Sequence, residues 1–211
     1  MPNPTEAPEH DSDEDATPAR KRPRPGERRL QILQTLAAML EQPGAERVTT
    51  AGLAAKIGVS EAALYRHFAS KAQMFEGLID FVDQSTMGLI RQVTDREPPG
   101  PQQAARIVAL LFQFAEKNPG MSRVMIGDAL VLEHERLQER INLLFDKIEA
   151  QLRQALKTSD SATPATSSAA DAQVTASLLV AFMQGRLHRF ARTGFKRLPS
   201  EHLQAALARV L

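Results

Sequence analysis

At 211 residues the chain is long enough for a hydrophobic core plus one smaller module, and its lack of cysteine excludes disulfides, thiol nucleophiles and cysteine-ligated zinc. A formal net charge of +1 hides a sharp local asymmetry: Glu6, Glu9, Asp11, Asp13, Glu14 and Asp15 come before any Lys or Arg, and Arg20, Lys21, Arg22, Arg24, Arg28 and Arg29 follow almost at once. Tryptophan is absent, tyrosine occurs once, and the apolar content rests on Ala, Leu, Ile, Val and Met, a composition that predicts an all-α fold.

Residues 1–23 combine prolines and acidic residues with no apolar periodicity, so they are expected to form a disordered acidic-then-basic arm. No apolar run approaches the roughly 20 residues a membrane span needs, and an acidic opening is the reverse of a secretory leader. A cytoplasmic location is the expectation.

From Pro25 onward Leu30, Leu33, Ala37 and Leu40 recur at helical spacing until Pro43-Gly44, predicting a first helix over 25–41. Thr49 can cap a short helix over 50–57, Gly58 ends it, and Ser60 caps another from 61 to about 68. Leu53, Ile57, Val59 and Leu64 are spaced to form the small core of a helix-turn-helix, with Ala54 permitting close approach. The second helix would then project from the surface. Its first residues, Ser60, Glu61, Ala62 and Ala63, are short or polar and can seat in a major groove, leaving Tyr65, Arg66 and His67 to flank phosphates. A mere helical corner with a solvated Tyr-Arg-His face is the alternative, and the adjacent basic stretch weighs against it.

Ser70 opens a long helix carrying Phe75, Leu78, Ile79, Val82, Leu89, Ile90 and Val93, halted by Pro98-Pro99-Gly100-Pro101. Ile107, Val108, Leu110, Leu111 and Phe114 mark the next helix, which Asn118-Pro119-Gly120 terminates; one or two short helices are expected over 121–132. Leu137, Ile141, Leu144, Phe145, Ile148, Leu152 and Leu156 make a long amphipathic helix, and 157–171 reads as a flexible Ser/Thr/Ala linker. A further helix over 174–192 presents Val174, Leu178, Ala181, Phe182 and Gly185, either internal core or a surface for a symmetry mate. Leu178, Phe182 and Gly185 are the expected dimer contacts, and a twofold dimer would place two recognition helices roughly 34 Å apart on a near-palindromic site. A last helix follows Pro199-Ser200.

The five histidines, His10, His67, His134, His188 and His202, lack metal-ligand spacing, and no catalytic triad, Walker loop or dinucleotide glycine pattern occurs. No enzyme activity, metal or cofactor is expected.

Gly58-Val59-Ser60, Leu64-Tyr65-Arg66-His67-Phe68 and Lys71 resemble the motif of the TetR family of regulators. The resemblance implies an N-terminal three-helix DNA-binding domain, here 24–71, and a C-terminal helical dimerisation and partner-binding domain, here 72–211. It further implies that Thr49, Ser60, Tyr65, Arg66, His67 and Lys71 touch DNA; Arg28 and Thr50 complete the expected set. Arg47-Val48-Thr49-Thr50, Asn118-Pro119-Gly120 and the run from Arg136 to Gln154 are similar to the nucleoid occlusion factors within that family. That likeness implies a nucleoid-associated protein that binds the division protein FtsZ through a groove between the fourth and fifth helices, at Phe81, Leu89, Leu110, Lys117 and Asn118. A basic residue expected at Leu89 is absent, although Arg91 is near. On periodicity alone Phe81, Leu89 and Leu110 read as core. The alternative function is a ligand-responsive repressor, which would need a roomy cavity with convergent polar groups; the interior faces read as packed, so no small ligand is expected.

Overall fold

Three hydroxyl side chains start three of the first four helices. Thr49, Ser60 and Ser70 each hold extended backbone and accept a hydrogen bond from the amide three residues on, at Gly52 (3.1 Å), Ala63 (3.2 Å) and Gln73 (3.1 Å). Gln73 also reaches back past the cap, its side-chain oxygen accepting from Ala69 N–H at 2.7 Å. The computed structural model describes residues 26–42, 48–131, 133–157 and 165–211, those at 165–168 as backbone only. The expected arm over 1–23, the Pro43-Gly44 stop and residues 158–164 of the expected linker lie outside them.

Among the described residues all regular structure is helical: α1 (Glu27–Leu40), α2 (Thr50–Ile57), α3 (Glu61–Tyr65), α4 (Lys71–Thr94), α5 (Pro101–Lys117), α6 (Pro119–Met125), a 3-10 turn (Asp128–Leu130), α7 (Glu135–Leu156), α8 (Ala165–Arg192) and α9 (Leu203–Leu207). The all-α expectation holds, with two differences in bounds. α3 stops at Tyr65, and Phe68 turns under it into the core instead of extending it. α8 starts at Ala165, so 165–171 is helical where a flexible linker was expected; alanine is the strongest helix former, and a Ser/Thr/Ala stretch without Gly or Pro can be carried into a long helix.

The helices alternate in direction between two ends of the molecule. α4 leaves the N-terminal module at Lys71 and runs to the far end, where Gly100 N–H donates to Ala155 O at 2.7 Å and α5 turns back. α5 returns to the module at Asn118–Gly120, where α6 packs on α1 so closely that a Cβ on Gly120 would lie 2.2 Å from the Ala37 carbonyl oxygen. α7 starts beside α4's first turns, ends at Leu156, and hands over to α8, whose Gln173 bonds Glu149 (2.6 Å) and Arg153 (2.9 Å). α8 then runs back to α6.

One core threads both parts: Ile32, Leu36, Leu53, Leu64 and Phe68 of the small module join Phe75, Phe112, Leu137, Ile148 and Met183 of the bundle. A row of ion pairs locks α4 to the segment leading into α7 and to α7 itself, joining Lys71 to Glu133 (2.5 Å), Glu76 to Arg136 (2.7 Å), Asp80 to Arg140 (2.5 Å) and Asp83 to Lys147 (2.8 Å). No helix among the described residues is long and apolar enough to cross a membrane.

Candidate DNA interface and partner groove

The turn between α2 and α3 has the chemistry a tight helical corner needs. Gly58 sits in the left-handed region (φ 74°), where a side chain would be strained, and its N–H closes α2 on Ala54 and Ala55 carbonyls. Leu53, Ala54 and Leu64 are buried between the helices and Ile57 and Val59 half-buried, as their spacing predicts. Val59 N–H donates to Ala54 O at 3.0 Å, and Thr50 Oγ1 donates to Glu61 Oε2 at 2.6 Å. The two helices are thus packed and hydrogen-bonded as one unit.

That unit exposes most of the residues expected to read DNA. Ser60, Glu61 and Ala62 are exposed at the start of α3 and Ala63 is half-buried. Tyr65, 45% exposed, is followed by exposed Arg66 and His67. The small side chains let the helix approach base edges, and a carboxylate at Glu61 is suited to accept from a cytosine amino group. Thr49 is exposed at the N-cap of α2, and Arg28, half-buried in the first turn of α1, donates to Gln31 at 2.8 Å.

Two basic residues beside this surface make contacts within the protein. Lys71, expected on DNA, holds the Glu133 carboxylate across 62 residues of sequence and lies 5.7 Å from the Phe75 ring centroid. Arg29, assigned no role beyond charge, lies 4.1 Å over the Phe68 ring and donates to the His67 carbonyl at 2.9 Å. It fixes the chain leaving α3 by stacking and by a charge-assisted hydrogen bond. Its place in the basic block was the only signal in the sequence.

Phe81 and Asn118, 37 positions apart in sequence, are brought together. Both line an open groove of about 290 Å³ whose other wall is α1, with Leu30, Leu33 and Ala37. Phe81 is 48% exposed although apolar, and its ring packs 6.1 Å from that of Phe114. Asn118 donates to the Phe114 carbonyl at 2.7 Å, which fixes the corner between α5 and α6. Lys117 is exposed beside it. Leu89 and Leu110 are half-buried against the core on α4 and α5, further from the small module than Phe81 and Asn118.

Along α8, Val174 (60%) and Leu178 (55%) are exposed, together with Ala181 and Gly185, at spacings that align them on one helix face. Phe182 is half-buried instead, its ring 6.0 Å from Phe112 and 5.0 Å beneath the Arg186 guanidinium. It therefore serves the internal core as well as the outer face. Among the described residues no group of three or more His, Asp or Glu is placed to hold a metal.

Both parts of the chain match known protein families. Residues 32–78 match the model for bacterial regulatory proteins of the tetR family, and residues 102–209 match a tetracyclin repressor-like C-terminal domain of SlmA-like type. The chain is 48% identical over 178 residues to the nucleoid occlusion factor SlmA of Idiomarina loihiensis, covering 84% of this chain and 90% of that protein. It is 49% identical over 175 residues to its counterpart in Shewanella pealeana, covering 83% and 88%. Among solved structures, a TetR-like transcriptional regulator from Rhodococcus sp. RHA1 superposes with a TM-score of 0.66 at 18% identity, covering 90% of this chain and 97% of the other.

Proposed function

Because the chain belongs to the TetR family, in its nucleoid occlusion factor SlmA branch, we propose that it binds near-palindromic chromosomal sites as a homodimer and there engages FtsZ and blocks division-ring assembly over the nucleoid. DNA is taken through the start of α3, with Thr49, Thr50, Arg28, Tyr65, Arg66 and His67 around it. The exposed faces of Leu178 and Gly185, flanked by Phe182, pair with their symmetry mates.

The observation that supports the FtsZ reading is the half-exposed Phe81 at the rim of a groove with two owners. One wall is α1 of the DNA-binding module; the other is the α4 and α5–α6 surface of the bundle. A segment bound there touches both parts, so its affinity depends on how the module sits on the bundle. Phe81 is ten residues along α4 from Lys71, about 15 Å of rigid helix from the DNA-binding module. DNA that fixes the module favours one shape of the groove, and FtsZ bound there favours DNA in return, since such coupling is reciprocal.

The test is Phe81→Ser, compared with the parent for operator affinity and for loss of FtsZ polymer in a sedimentation assay with GTP. Retained DNA affinity with lost FtsZ inhibition is expected. A variant that still disperses FtsZ places the partner surface elsewhere, and a parent that selects a palindrome but leaves FtsZ untouched is a ligand-responsive repressor.

A further inference from the structure

The charge of α8 is collected at one end. From 165 to 185 it has no Lys or Arg and a single carboxylate, Asp171, whereas Arg186, Arg189, Arg192, Lys196 and Arg197 follow, with Glu201 the only side-chain carboxylate after Asp171. Glu201 is already engaged: its carbonyl accepts from Arg186 at 2.8 Å and its carboxylate lies 3.4 Å from Arg189. Burial and the neighbouring Arg189 push the Arg186 guanidinium below its ordinary pKa, with Glu201 opposing, as befits a site with more cation than anion. Arg192, Lys196 and Arg197 are exposed and have no carboxylate partner among the described residues.

The turn carrying these cations is braced. Gly194 (φ 60°) and Phe195 (φ 64°) both adopt left-handed backbone, which for phenylalanine persists only where its surroundings hold it. Here the Phe195 ring packs 5.1 Å from Phe190 and 5.3 Å from the Arg123 guanidinium, and its N–H donates to Phe190 O at 2.9 Å. Thr193 Oγ1 accepts from Arg197 N–H at 3.1 Å, and Ser200 N–H donates to Glu116 at 2.9 Å. Lys196 and Arg197 therefore stand on a fixed base.

Their position is the telling feature. α6 packs on both α1 and α8, and its Arg123 meets Phe195, so this turn is at the end of the bundle that carries the DNA-binding module. The negative C-terminal end of the α8 dipole accounts for cations in its last turn, such as Arg189 and Arg192, but not for Lys196 and Arg197 beyond it.

We propose that Arg192, Lys196 and Arg197 form a second DNA contact, binding phosphates of the duplex whose groove α3 reads. This rests on the DNA-binding reading above. Phosphate contacts of this kind add affinity without sequence preference, and each one lost flattens the salt dependence of binding by roughly 0.9 in slope.

The test measures operator affinity against salt concentration, on a duplex extending beyond the protected site, for Lys196→Ala/Arg197→Ala. Arg96→Ala, at the far end of α4, controls for net charge, and Arg66→Ala controls for the recognition helix. The double variant should keep the parent's helical circular dichroism and lose a slope of about 2 per protomer, while Arg96→Ala keeps the parent's slope. A double variant with the parent's slope overturns the proposal, as does an equal fall for Arg96→Ala. So does a double variant whose DNA binding is intact but whose retention on phosphatidylglycerol vesicles is lost. If Arg66→Ala leaves DNA binding unchanged, the helix-turn-helix reading itself has failed.

Discussion

The Lys71 ammonium lies 2.5 Å from the Glu133 carboxylate, so a cation that the sequence assigns to DNA is tied to the segment leading into α7. Phosphate and Glu133 compete for it. Glu133→Gln is expected to raise non-specific DNA affinity about 2–5-fold at low salt, an effect that shrinks as salt screens it, and to lower stability by about 1 kcal/mol or less because the pair is partly solvated. Fluorescence anisotropy against salt checks this. Weaker binding by the variant would mean that the pair positions α4 for DNA rather than withholding Lys71.

Arg29 braces the exit from α3 through Phe68 and the His67 carbonyl. Arg29→Ala is expected to lower operator affinity about tenfold and stability by about 1–2 kcal/mol, the sum of a stacked cation and a charge-assisted hydrogen bond. Arg29→Lys keeps the charge without the planar stack and should fall between the two. Equal binding by the Ala and Lys variants would reduce the role of Arg29 to shape alone, and equal binding by Lys and parent would reduce it to charge.

Gly120 sets how closely the DNA-binding module sits on the bundle. A methyl group there meets the Ala37 backbone oxygen, which has no flexible end to move away, so Gly120→Ala should cost about 1–3 kcal/mol. Thermal unfolding with the parent as reference measures it. An unchanged Tm would show that α1 can slide on α6 without penalty.

Leu178 is a cleaner probe of the proposed dimer than Phe182. Leu178→Asp puts a charge on an exposed face and should give a folded monomer by light scattering, with weakened binding to a palindromic duplex. Phe182→Asp also removes a ring packed on Phe112 and should destabilise the fold as well. A Leu178→Asp protein that remains dimeric moves the interface off this helix face.

Local signals carried most of the fold. Thr49, Ser60 and Ser70 announce their helices because capping involves only the next three residues, and Gly58 announces the turn because few other residues accept its backbone. The early start of α8 was hidden, since Ser/Thr/Ala composition resembles a linker until tertiary packing extends the helix. Partners far apart in sequence were hidden too: Lys71 with Glu133, Arg29 with His67, and the α1 wall that completes the groove around Phe81 and Asn118. Periodicity marks Phe81 as apolar on a helix, and only the packed structure shows that it is half exposed.

The most direct measurement is sedimentation of GTP-assembled FtsZ with this protein, with and without a duplex the protein has itself selected from a random pool. Loss of FtsZ polymer that increases when the selected duplex is present is expected, and a duplex of scrambled sequence should not reproduce it. FtsZ pelleting equally in the presence and absence of protein and selected duplex would contradict a DNA-activated block on division.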